Sequence, residues 1–69
     1  MLELKQFKKD LKNGKVRRIK MLYDWEVTDY NSSKGIIFAR RLSQNLYSYV
    51  LKTFKVKDIF NRVQYYSVV

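Results

Sequence analysis

Lys8, Lys9, Lys12, Lys15, Arg17, Arg18 and Lys20 place seven cationic side chains within thirteen consecutive residues. Side chains of this kind at this density neutralise phosphates. They give affinity for a polyanion without sequence preference, and that affinity falls steeply with salt. Two arginine pairs, Arg17-Arg18 and Arg40-Arg41, add a different capacity. A guanidinium forks onto a phosphate or a guanine edge, which an ammonium cannot do. Adjacent strand residues point to opposite faces, so each pair is expected to put one arginine on each side of a sheet. Lys55 and Lys57 extend the basic set into the tail. Tyr47 and Tyr49, two apart, are expected to share one strand face. Rings interleaved with cations on a sheet stack unpaired bases while the charges track the backbone. The competing expectation is that these tyrosines fill the core.

Other chemistry is sparse. Asp24 and Glu26, at i and i+2 of a strand, would lie roughly 7 Å apart. That spacing suits a Mg²⁺ shared with substrate phosphates. Beside Arg18 and Lys20 the same carboxylates fit a cross-strand charge pair better. Ser32-Ser33 has no histidine to activate it, because the chain has neither His nor Cys. This removes imidazole bases, cysteine nucleophiles, disulfides and His- or Cys-based zinc sites. The only glycines are Gly14 and Gly35, so phosphate-loop and dinucleotide fingerprints are missing. No catalytic residue, metal or cofactor is expected, and the chain does not read as an enzyme.

The elements that must position these groups belong to a short chain. Sixty-nine residues allow one domain, residues 1–69. A domain of this size buries only about 60% of the surface its unfolded chain exposes. With 46% hydrophobic and 16% aromatic residues, it is too apolar for a disordered basic tail. Net charge is +9, unevenly spread. Residues 1–20 carry net +6, residues 21–30 net −3, and residues 31–69 net +6.

Leu4, Phe7 and Leu11 fall on one stripe of a 3.6-residue period and predict a helix over 2–12. Asn13-Gly14 supplies its stop. Over 15–28, Ile19, Met21, Tyr23, Trp25 and Val27 alternate with polar residues, which predicts one half-buried strand, with Leu22 as the exception. Residues 29–35 read as a loop of turn formers ending on Gly35. A second strand is expected over 36–43 and a third over 46–53. Leu42, Leu46, Tyr49, Val50, Thr53 and Phe54 also fit a helical stripe, but the β-branched and aromatic content favours strands. One helical turn over 56–61 and a last strand over 62–69 complete the reading. The expected fold is α+β: an N-terminal helix packed on a small antiparallel sheet of three to four strands, arranged as a meander.

The function expected from these residues is binding. Nucleic acid, DNA or RNA, would be held through the Lys8–Lys20 cluster, aided by Arg40, Arg41, Lys55 and Lys57. The alternative is a protein-interaction module or inhibitor, of the phage or mobile-element accessory and anti-defence type, docking on an acidic surface of a larger enzyme or nucleoprotein complex. Mixed charge around the acidic window suits that reading. The chain is not expected to be an integral membrane protein, since no apolar run reaches about 18 residues. Charges near the start replace the apolar run of a signal peptide. The absent cysteines and AT-rich style fit the cytoplasm of a low-GC bacterium, with a phage or plasmid as carrier. Sheet edges and an apolar last strand leave room for a homodimer.

Overall fold

A computed structural model describes residues 3–68. The expected start of the helix at Leu2 and the terminal Val69 lie outside them. Helix α1 spans Leu4–Lys12 and turns Phe7, Asp10 and Leu11 inward. Its stop is the expected one. Gly14 takes φ +71°, and its N–H donates to the Leu11 carbonyl at 3.1 Å. The Lys15 N–H then donates to the Asp10 carbonyl at 2.9 Å.

Five strands follow: β1 (Val16–Lys20), β2 (Asp24–Asn31), β3 (Ile36–Leu42), β4 (Tyr49–Lys55) and β5 (Tyr65–Val68). They form one antiparallel sheet in the order β4-β3-β2-β1-β5. The class is α+β as expected, but the sheet has five strands rather than three or four. Only β1 to β4 make a meander. After β4 the chain runs through a four-residue helix, α2 (Val56–Ile59), and a 3₁₀ turn (Phe60–Arg62), then returns to pair beside β1.

The single strand expected over 15–28 is a hairpin. Lys20 pairs with Asp24 and Ile19 with Trp25, around a bend at Met21-Leu22-Tyr23. Partners here are always an even number of residues apart. Residues of one parity therefore stay on one face through the bend, and alternation alone does not reveal it. Leu22, the residue that broke the pattern, sits at the apex, 81% exposed. The loop expected over 29–35 is also shorter. Asp29, Tyr30 and Asn31 pair with Phe38, Ile37 and Ile36, leaving only residues 32–35 as the turn. The third strand begins at Tyr49 rather than residue 46, and the last one at Tyr65 rather than residue 62.

Core side chains come from one face of the sheet, α1 and α2: Phe7, Leu11, Ile19, Trp25, Ile37, Val56 and Ile59 are all buried. Phe7 packs on Tyr66 with ring centroids 4.8 Å apart, and Trp25 meets Phe54 edge-on at 5.0 Å. Asp10 is the one buried charged residue among those described. It accepts from the Tyr66 hydroxyl at 2.8 Å and from Gln6 Nε2 at 2.9 Å, so its burial leaves the carboxylate hydrogen-bonded. That pair ties α1 to β5. Burial and the hydrogen bond to Asp10 push the Tyr66 hydroxyl above its ordinary pKa.

Candidate functional site

The packing separates the basic residues into two regions of different character. The first is a cleft of about 300 Å³ between α1, the β2–β3 turn and the β4–α2 junction. Lys8 enters it from α1, Lys34 from the turn, and Lys55 and Lys57 from the junction. The turn is held by its own bonds: Asn31 Oδ1 accepts from the Lys34 N–H at 3.2 Å and from Ser33 Oγ at 2.8 Å. Gly35, at φ +66°, turns the chain into β3, and its carbonyl accepts from the Val56 N–H at 2.9 Å. That last bond ties the turn to α2 and brings Lys34 next to Lys55 and Lys57. Among the described residues, no carboxylate lines the cleft. Four ammonium groups without a counter-charge raise the local potential and attract an anion.

The second region is the sheet face turned away from α1. Arg18 of β1, Glu26 of β2 and Arg40 of β3 stand in one cross-strand row. Arg40 Nε lies 2.6 Å from Glu26 Oε1, and Arg18 Nη1 lies 3.7 Å from Asp24 Oδ2. The hydrogen bond and charge of Arg40 hold the Glu26 carboxyl below its ordinary pKa, and Glu26 raises that of Arg40 in return. The Arg40 guanidinium also covers the Tyr49 ring at 4.4 Å. Asp24 and Glu26 are thus held as partners of arginines, the cross-strand pairing expected of them. Phe38, Leu42, Tyr49 and Leu51 expose apolar surface around the row.

The expected contiguous Lys8–Lys20 patch is divided between these regions. Val16 and Ile19 are buried in the core, so the exposed Arg17 and Arg18 between them leave in another direction. Lys8, Lys9 and Lys12 stay on the exposed side of α1. Lys15 and Arg17 are exposed at the entry to β1, where the pairing with β5 is irregular. Arg18 and Lys20 stand opposite Glu26 and Asp24. Proximity in sequence did not become one patch because a sheet lies between the side chains.

The arginine pair in β3 divides as expected. Arg40 joins the open face, and the Arg41 guanidinium lies 4.0 Å from the Tyr23 ring and 5.2 Å from Trp25, although both arginines line one pocket with Arg18, Asp24 and Glu26. Tyr47 and Tyr49 do not share a strand face. Tyr47 lies in the β3–β4 loop, 91% exposed, and Tyr49 opens β4. Neither is in the core. Lys34 was missed by sequence reasoning. It is an isolated lysine in a turn, and only the bond from Val56 to Gly35 shows that it faces the tail lysines.

No family model, curated protein or solved structure matches the chain. Its chemistry is therefore read from the site alone. Among the described residues, no group of three or more His, Cys, Asp or Glu is placed to hold a metal ion. No helix among them is long and apolar enough to cross a membrane.

Proposed function

We propose that the protein binds nucleic acid by seating backbone phosphates on its lysine-bearing side, centred on the cleft of Lys8, Lys34, Lys55 and Lys57. The observation that carries this reading is that four lysines from three separate chain segments converge where no carboxylate is present. Lys5, Lys9 and Lys12 on α1 and Lys15 after it extend the basic surface. Among the described residues no lysine forms an ion pair; both ion pairs use arginines. Recognition of this kind reads charge and spacing, not base sequence.

The test is affinity for single- and double-stranded oligonucleotides across a salt series. Four phosphate contacts lower the affinity by roughly 50- to 150-fold between 50 and 200 mM salt. Neutralising the cleft with K8Q/K34Q/K55Q/K57Q is expected to remove most of that slope. An unchanged slope overturns the reading.

A second reading has its own support in the open face, where Phe38, Leu42, Tyr49 and Leu51 surround an ion-paired row. Exposed apolar patches bordered by fixed charges suit a protein partner. Such a partner would be a larger enzyme or nucleoprotein with an acidic surface, as an accessory or inhibitory module requires. A partner retained in a pull-down after nuclease treatment, and lost in Leu51→Lys, favours this reading over the first.

A further inference from the structure

A second pocket shares no residue with the lysine cleft. It lies between the β1–β2 hairpin, the end of β3, the Val50, Lys52 and Phe54 side of β4, and the 3₁₀ turn. Its volume is about 250 Å³, below the roughly 300 Å³ at which sites for whole drug-sized ligands begin. The room is for one ring system. Tyr23 supplies an exposed ring and Phe54 a half-buried one, the core residue Trp25 adds a buried third to the lining, and Val50 adds an aliphatic wall. Arg41, Lys52 and Arg62 supply the cations, and among the described residues no carboxylate lines the pocket. Arg41 stands over Tyr23 and Trp25, and Lys52 Nζ is 5.5 Å from the Phe54 centroid. Among the described residues Arg41 Nε is buried without a hydrogen-bond partner, while Nη1 donates to the Leu42 carbonyl at 3.3 Å.

We infer that this pocket takes an unpaired nucleobase, with the adjoining phosphate held by Arg41, Lys52 and Arg62, so that the protein prefers single strands. This rests on the nucleic-acid reading above and narrows it to a substrate class. Aromatic rings interleaved with cations are the chemistry by which proteins hold unpaired bases without reading sequence. A duplex keeps its bases stacked inside and offers no ring to the pocket.

Trp25 is the only tryptophan and lines this pocket, so its fluorescence responds to occupancy there. The experiment titrates the intact protein with a 12-mer of thymidylate, a 12-mer abasic phosphodiester, a duplex of equal length, and an acidic peptide carrying one aromatic residue. The expected result is about tenfold tighter binding of the thymidylate than of the abasic strand, with a change in Trp25 emission for the former only. Tyr23→Leu, which removes an exposed ring of the lining and no charge, should shrink that preference while leaving abasic binding within about threefold. Equal affinity for the two strands with silent Trp25 emission overturns the inference and leaves phosphate binding standing. Emission changes driven by the peptide alone also overturn it. Failure of all three nucleic acids to bind overturns the parent reading instead.

Discussion

The cleft of Lys8, Lys34, Lys55 and Lys57 and the row of Arg18, Glu26 and Arg40 hold the same sign of cation in opposite circumstances. Four lysines line the cleft, and among the described residues no acid does. On the open face each arginine lies within 4 Å of a carboxylate. The row is close to neutral and its geometry is fixed by hydrogen bonding. The cleft is strongly positive, and its lysines are placed by bonds beneath them, from the Asn31 side chain within the turn and from Val56 N–H to the Gly35 carbonyl. Net charge counts both regions alike, yet only unpaired charge is free to exchange counterions for phosphates. The +9 of the chain therefore overstates the open face and understates the side bearing α1.

The sharpest way to break this contrast is to neutralise each region separately. K8Q/K34Q/K55Q/K57Q is expected to lower oligonucleotide affinity in 50 mM salt on the order of a hundredfold, and to reduce the log–log salt slope by about three. R18Q/R40Q is expected to change affinity by less than about threefold. Equal losses from the two variants, measured by fluorescence anisotropy, would erase the distinction.

A smaller effect runs the other way. D24N/E26Q releases both guanidiniums of the open face. Several-fold tighter binding of any polyanion is expected, with a steeper salt slope. A slope that stays flat would mean that phosphates never reach this face.

Stability gives a third contrast. The lysine-bearing side rests on the bond between Tyr66 and the buried Asp10. Tyr66→Phe removes that donor and is expected to lower stability by about 1–3 kcal/mol. Arg40→Gln acts at a pair open to solvent, so its denaturant midpoint should stay much closer to wild type. A reversed order in urea melts would show that α1 is anchored by Phe7 and Leu11 alone.

The smallest expected effects are two limbs of the pH–stability profile. The folded pKa of Tyr66 is raised, so the unfolded chain releases this proton first. Its contribution is complete below the ordinary value of 10.0 and is lost as pH rises above that value. Tyr66→Phe should flatten this alkaline limb. The folded pKa of Glu26 is lowered, so the unfolded chain binds this proton first. Its contribution is complete above 4.5 and is lost as pH falls below that value. Glu26→Gln should flatten the acid limb and leave the alkaline one intact.

Much of the local structure was legible in the residues. The stripe of Phe7 and Leu11, the stop at Gly14 and the burial of Ile19 and Trp25 follow from period and turn chemistry. So does the separation of Arg40 from Arg41, because alternation is a property of any strand. The β1–β2 hairpin was not legible, since its bend at Met21-Leu22-Tyr23 has no Gly, Pro or Asn and keeps side-chain parity. Tyr47 was misplaced for a related reason: β-rich composition does not show where pairing begins.

The sequence alone determined an α+β domain with a basic helix, an aromatic core and no histidine or cysteine chemistry. Those outcomes depend on composition and on contacts a few residues apart. Tertiary structure decided the rest: the return of β5 to β1, the pairing of Arg18 and Arg40 with acids, and the meeting of Lys8, Lys34, Lys55 and Lys57. These join residues far apart in the chain. Which lysines are left without a partner depends on where every strand is laid, and no local pattern encodes that.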